Sequence, residues 1–188
     1  MLAVLYAHAL AAALAPVRVR RWGRLAFSPL SLVPLGSLAW VGLNWPGDIP
    51  ETVHLDWVPA LSMDITLRFD TLAAITSVLV LAVGALVLFY CAEYFHHHDG
   101  HREKRLPSFA AELVAFSGAM FGLVVSDNML LLYVFWELTT VLSFLLVGHY
   151  AERATSRRAA MQALLVTTAG GLAMLVGIVI LGTISGTY

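Results

Sequence analysis

Charged residues are scarce in this sequence of 188 residues. Asp, Glu, Lys and Arg together make up 12% of it, against about 25% in an ordinary soluble domain. Hydrophobic residues make up 60%, and the mean hydropathy is +0.81. This composition is typical of a membrane protein, so the lipid bilayer is the first partner that the sequence predicts.

Cysteine and lysine are almost missing as well. The single cysteine, Cys91, has no second thiol with which to form a disulfide inside the chain. The only lysine, Lys104, falls between two apolar runs. The net charge of −1 offers no attraction to a phosphate backbone, so no nucleic-acid partner is predicted.

Motifs of hydrolytic and metal chemistry are also missing. The apolar runs contain no HExxH pattern, no serine with a neighbouring histidine and no pair of aspartates, which argues against an intramembrane hydrolase. Four histidines form HHHDGH at residues 96–101, but no second cluster accompanies them. We interpret that segment as a solvated loop and predict neither a metal site nor a cofactor.

Long apolar runs are what the sequence does contain. A helix needs about 20 apolar residues to cross the hydrocarbon core of a bilayer. Such runs cover approximately residues 1–17, 25–43, 71–92, 108–125, 129–149 and 159–185. They predict an all-α polytopic membrane protein with about six transmembrane helices. Pro29 and Pro34 predict that the second helix is bent.

The first run resembles a signal peptide in its AHALAAALAPV stretch. Signal peptides carry their positive charge before the apolar stretch, however. Here the four arginines follow it, at Arg18, Arg20, Arg21 and Arg24. This order favours a retained helix with its N-terminus outside.

Positive charge is concentrated in three connecting segments. Residues 18–24, 93–106 and 151–158 hold ten of the eleven Lys and Arg residues. With six spans, all three segments lie on the same side of the membrane, which the positive-inside rule makes the cytoplasmic side. We therefore predict a multi-pass protein of the cell (inner) membrane.

The opposite side receives residues 44–70, where the period of the sequence changes. Apolar and polar residues alternate in ETVHLDWV and in SMDITLRF, and Pro59 lies between them. We predict an external β-hairpin that packs on the helices as a structural brace. The chain then divides into residues 1–43 with two helices, the external segment 44–70, and residues 71–188 with four helices.

One carboxylate lies in the middle of an apolar run. Glu137 stands within VFWELTTVLSF, and a charge at the bilayer centre costs at least about 2.5 kcal/mol, so it indicates a function. Helical spacing puts the hydroxyls of Tyr133 and Thr140 on the same stripe, where they can support proton exchange. The alternative is a structural carboxylate that only joins helices through hydrogen bonds.

Other polar or small positions carry weaker signals. Glu112 lies near the start of its run and is predicted at the surface or at the headgroup level. Asp127, in an SDN turn, is predicted to cap the next helix. Small residues spaced by four on the last run, Ala169, Ala173 and Gly177, predict close helix packing.

Several of these features occur together in one family. The run VVSDNMLLLYVFWELTTVLSFLLVGHY, preceded by the hairpin and LRFDTLAAITSVLVLAVGALVLFYCAEYF, closely resembles the N-terminal region of the large A subunit of Mrp-type multisubunit cation/proton antiporters. The antiporter-like subunits of respiratory complex I resemble it more distantly, since they usually carry WEG where this chain has WELT. The resemblance is strongest from Leu61 to Tyr150.

The resemblance implies a proton path through the membrane interior. In that family the Glu of the WE pair in the fifth helix relays protons and faces a lysine on the seventh helix. Glu137 matches the position of that Glu. The partners implied are other antiporter subunits, protons, and Na⁺ or K⁺.

The chain departs from the family in its length. Family members have many more helices, with buried lysines or histidines in the later ones, whereas the sole lysine here lies in a loop. We expect the missing C-terminal helices and the basic partner of Glu137 to come from a longer chain or from another polypeptide. Besides a secondary transporter subunit, two alternatives stay open: a proton-pumping subunit of a complex I-type NADH dehydrogenase, and a non-conducting scaffold subunit.

Overall fold

The structure, a computed structural model, describes residues 1–47, 49–58, 63–95, 105–150 and 152–185, without the side chains of residues 56–58 and 63. Its elements are α1 (Leu2–Trp22), a 3-10 turn (Gly23–Ala26), α2 (Phe27–Leu43), β1 (Glu51–Val58), β2 (Met63–Phe69), α3 (Thr71–Tyr94), α4 (Leu106–Val125), α5 (Met129–Val147) and α6 (Ala154–Ser185). The HHHDGH segment lies outside the described residues, so its interpretation as a loop stays a prediction.

Five apolar segments in the described residues are long enough to cross a membrane, and the first is the 42-residue stretch of α1 and α2. A straight helix of that length would measure about 63 Å, twice the hydrocarbon thickness. The chain instead turns back at Gly23, whose φ is +59°. Met1 and Val41 share one buried cluster, and Val19 and Phe27 share another. The segment therefore contains two antiparallel helices, which agrees with the predicted count of six.

The helices α1 and α6 are longer than the apolar runs predicted for them. The helix α1 extends to Trp22 and the helix α6 begins at Ala154, because helical hydrogen bonding continues into the arginine-rich flanks. Pro29 lies in the first turn of α2, where a missing backbone donor matters little, and Pro34 lies inside that helix. The bend predicted for α2 stays a prediction.

Glycines let the helices of the bundle approach closely. The helix α1 packs mainly on α4, and α2 packs mainly on α3. An alanine Cβ at Gly118 of α4 would lie 2.6 Å from the Cβ atom of His8 on α1. One at Gly84 of α3 would lie 2.6 Å from the hydroxyl oxygen of Ser117 on α4. Close packing of this kind drives helix association in lipid, where the hydrophobic effect between helices is lost.

We expect the substitution Gly118→Ala to destabilise the chain by about 1–3 kcal/mol, because the new methyl group meets the rigid start of the His8 side chain. Unfolding can be followed with a thiol-reactive fluorophore, since the single cysteine, Cys91, is buried. The matched control is Gly36→Ala on α2, where a Cβ would have no neighbour within 4 Å in the part of the chain that the structure describes. Equal unfolding temperatures for the two variants would contradict this account of the α1–α4 contact.

The predicted β-hairpin is confirmed. Strands β1 and β2 pair antiparallel, and the side chains of Leu67 and Phe69 are buried in the cluster formed by the ends of α1 to α5. Arg68, which points to the other face, is exposed. The backbone amide of Asp127 donates a hydrogen bond of 2.9 Å to the carbonyl of Thr66. This bond ties the hairpin to the α4–α5 turn.

The cap of α5 is Asn128, so the prediction that Asp127 caps this helix was wrong. The side-chain oxygen of Asn128 accepts hydrogen bonds from the backbone amides of Leu130, at 2.9 Å, and Leu131, at 3.0 Å. Asn128 has the extended backbone that a cap requires. The Asp127 carboxylate lies instead 3.9 Å from the guanidinium of Arg68.

The small-residue stripe of α6 is not the surface that meets α5. Ala169 and Ala173 are exposed, and a Cβ at Gly177 would have no neighbour within 4 Å among the described residues. The buried residues of α6 are Ala160, Gly171, Ile178 and Gly182. Within this part of the chain, the close packing predicted for the stripe is therefore not observed.

Candidate functional site

The helix α5 is held between its neighbours at two glycines. The ring of Phe135 lies over Gly122 of α4, and the carboxylate of Glu137 lies over Gly171 of α6. Residues two apart on a helix differ in direction by about 200°, so these two side chains point to nearly opposite sides. This rotation of α5 directs Glu137 to the α5–α6 contact.

Glu137 lies near the midpoint of the 19-residue helix α5. Its Oε1 atom is buried and has no hydrogen-bond partner among the described residues. A buried polar oxygen without a hydrogen-bond partner is costly, so a further group such as a water molecule or a cation is expected to meet it. Oε1 is therefore the atom of the carboxylate at which such a group would bind.

The structure brings one of the two predicted hydroxyls to this carboxylate. The phenol of Tyr133, one turn earlier on α5, is an electrostatic neighbour of the Glu137 carboxylate. Thr140, one turn later, is buried, with 6% exposure.

This arrangement can accept and release a proton. The phenol of Tyr133 lies near the carboxylate, while Oε1 is buried and has no hydrogen-bond partner among the described residues. Proton transfer requires the two groups to come within about 3 Å of each other or to share one water molecule. The site therefore has the chemistry of one station in a proton relay.

A buried histidine on α1 was missed by the reasoning from sequence. His8 is 1% exposed, its Nδ1 atom lies 2.9 Å from the carbonyl oxygen of Val4, and its Nε2 atom is buried without a partner in the described residues. The hydroxyl oxygens of Ser77 and Ser117 are also buried without a hydrogen-bond partner among the described residues. The available signal was a histidine inside the first apolar run. His8 lies at the α1–α4 contact rather than beside Glu137.

Glu112 is half-buried near the start of α4, where Arg105 and His149 are its charged or titratable neighbours. The guanidinium of Arg105 donates to the carbonyls of Gly148, at 3.3 Å, and His149, at 3.4 Å. The imidazole of His149 packs on the ring of Phe109, with centroids 4.6 Å apart. Glu112 therefore belongs to the end of the bundle where α5 connects to α6, and its predicted headgroup position stays a prediction.

Among the residues that the structure describes, no group of three or more His, Cys, Asp or Glu side chains is placed to hold a metal ion.

Two family models match the chain. The model described as "NADH:quinone oxidoreductase/Mrp antiporter, TM" matches residues 126–188, which include α5 and α6. The model described as "NADH-Ubiquinone oxidoreductase (complex I), chain 5 N-terminus" matches residues 57–104.

Curated relatives carry antiporter names. The probable K⁺/H⁺ antiporter A/B subunit of Rhizobium meliloti is 46% identical over 135 residues, which are 72% of this chain and 13% of that protein. The putative antiporter subunit mnhA2 of Staphylococcus aureus is 38% identical over 136 residues, which are 72% of this chain and 16% of that protein. The chain thus spans less than one fifth of the length of these relatives.

Solved structures have the same fold. The structure of the Mrp complex from Dietzia sp. matches 98% of this chain and 19% of its own chain, with a TM-score of 0.86 and 30% identity. An archaeal respiratory complex, the membrane-bound sulfane sulfur reductase, matches 98% of this chain and 28% of its own with a TM-score of 0.79, but at 17% identity it shows the fold alone. The chain is a multi-pass membrane protein of the antiporter-type family that Mrp antiporters and complex I share, and it corresponds to the N-terminal region of the large Mrp protein of the A type.

Proposed function

We propose that this chain is the N-terminal part of one component of a multisubunit monovalent cation/proton antiporter, and that Glu137 relays protons through the membrane interior. The observation that carries the proposal is the Glu137 carboxylate near the midpoint of α5, whose Oε1 lies over Gly171, is buried and lacks a partner among the described residues. The antiporter names of its relatives support the same interpretation. The complex works as a secondary transporter rather than as an enzyme.

The proposed partners follow from the same comparisons. A longer chain or another polypeptide supplies the further helices and the basic group for Glu137, and other antiporter subunits complete the complex. Protons and one monovalent cation are the transported species. Because one relative is named a K⁺/H⁺ antiporter component, K⁺ has to be tested beside Na⁺.

The test uses inverted membrane vesicles that contain the full-length protein in its complex. A proton gradient is first established, and Na⁺ or K⁺ is then added while the internal pH is recorded with a fluorescent dye. We expect either cation, or both, to dissipate the gradient, and vesicles lacking this protein to show no such response. If vesicles with the complete complex respond to neither cation, the antiporter proposal is wrong.

The reaction that drives proton movement distinguishes the complex I alternative from an antiporter. A component of an NADH dehydrogenase would move protons when NADH is oxidised, without added Na⁺ or K⁺. The descriptions of both family models name complex I or its quinone oxidoreductase, which is the reason to test this alternative. The scaffold alternative is separated by Glu137 itself, because a scaffold would keep wild-type transport after the carboxylate is replaced.

The proposed topology places the N-terminus and the hairpin outside the cell membrane and the arginine-rich connections inside. We expect single cysteines at Thr52 and at Thr155, both exposed, to react with a membrane-impermeant maleimide from opposite sides. The measurement uses a cysteine-free background in which Cys91 is replaced by serine. Reaction of both positions from the same side would overturn the six-span topology.

A further inference from the structure

We propose that Gly171 of α6 is a positioning residue for the Glu137 carboxylate, because its missing side chain leaves the space that Oε1 occupies. The inference rests on the proposed function, since it assigns to Gly171 a part in the same proton relay. It concerns a residue on a different helix, 34 positions further along the sequence than Glu137.

The geometry singles out one atom that would have to move. A Cβ atom at position 171 would overlap Oε1 of Glu137. The next neighbours are Cδ of Glu137 at 3.4 Å and Nε1 of Trp136 at 3.7 Å, which are ordinary contact distances. A methyl group at this position therefore displaces the carboxylate oxygen and leaves the tryptophan where it is.

The displacement acts on the carboxylate rather than on the fold. Oε1 is the far end of a flexible side chain, so a change of rotamer can relieve the overlap without moving the backbones of α5 and α6. At Gly122, by contrast, an added Cβ would meet the ring of Phe135. A substitution at Gly171 is therefore expected to leave the protein assembled while it moves the group that carries the proton.

The neighbouring glycine provides a matched control. Gly170 is exposed, and a Cβ there would have no neighbour within 4 Å among the described residues. The substitutions Gly170→Ala and Gly171→Ala add the same methyl group to adjacent positions of one helix, and both raise its helix propensity equally. A difference between the two variants therefore reports the contact with Glu137.

A shift of this size matters for proton transfer. Relieving the overlap moves Oε1 by about 1 Å, and a misplacement of this order can lower a rate on the order of 100-fold. We expect Gly171→Ala to lower cation-driven proton flux by about 10- to 100-fold, and Gly170→Ala to stay within about twofold of the wild type.

The experiment measures flux in vesicles containing the full-length complex, with assembly checked by co-purification of its subunits. The variants are Gly170→Ala, Gly171→Ala, Glu137→Asp, Glu137→Gln and the double variant Gly171→Ala/Glu137→Asp. Aspartate withdraws the carboxylate by one methylene, about 1.5 Å, and so makes room for the added methyl group. We expect Glu137→Asp to reduce flux when Gly171 is present and to restore at least part of it in the Gly171→Ala background.

Four outcomes would overturn the inference. Equal flux in Gly171→Ala and Gly170→Ala would do so, provided that Glu137→Gln is inactive. Failure of Gly171→Ala to assemble would show a structural role instead. If Glu137→Asp restores no flux in the Gly171→Ala background, the effect of the added methyl group does not act through the carboxylate. Wild-type flux in Glu137→Gln would remove the proposed relay and this inference together.

Discussion

Glu137→Gln in the full-length complex is expected to abolish cation-driven proton flux while the complex stays assembled. Glutamine keeps the size and the hydrogen-bonding capacity of the side chain, but it has no titrating proton. Oε1 has no hydrogen-bond partner among the described residues, so none of them is in direct contact to take over the proton. Flux is measured in vesicles, and assembly is measured by co-purification of the other subunits.

Two further substitutions distinguish the contribution of the carboxylic acid from that of the side-chain length. Glu137→Asp keeps the acid but shortens the side chain by one methylene, so partial flux is expected. Glu137→Ala should lose flux and also destabilise the assembled complex by about 3–5 kcal/mol, because the lysine implied by the family resemblance would be left buried without its partner. If Glu137 relays protons, Glu137→Asp must give a higher proton flux than Glu137→Gln. A glutamine variant that assembles and transports at the wild-type rate would leave the scaffold alternative standing.

The 188-residue chain reconstituted alone into liposomes is expected to give no Na⁺- or K⁺-dependent proton flux above empty liposomes. Its apolar runs contain the acid Glu137, whereas the arginines flank those runs in the sequence and the only lysine, Lys104, falls between two of them. It also spans only 13% to 19% of the chains that carry antiporter names or the Mrp structure. A relay across the whole membrane needs further stations that these residues do not supply.

The control for that measurement is the complete complex in the same lipids, which should respond to at least one of the two cations. Circular dichroism of the isolated chain should show the helical content of α1 to α6, so that inactivity is not confused with unfolding. Antiport from the pure chain at a rate comparable to that of the complex would show that the proton path is complete within these residues.

The sequence by itself determined the features that depend on local pattern. The thickness of the bilayer sets the length of an apolar span, so six runs predicted six helices. A change of period from helical to alternating predicted the hairpin, which the structure confirms at β1 and β2. The cost of a buried charge singled out Glu137. Tyr133 followed from helical spacing alone, because residues four apart lie on one face.

The tertiary structure decided everything that depends on how one helix is rotated against another. The contact of Glu137 with Gly171 and the burial of His8 against Gly118 join residues that are far apart in sequence, and no local period encodes them. The cap at Asn128 rather than Asp127 was settled by the path of the turn that also holds the hairpin. Helices pack through small differences in side-chain size at their contacts, so the positions of glycines acquire meaning only once the neighbouring helix is known.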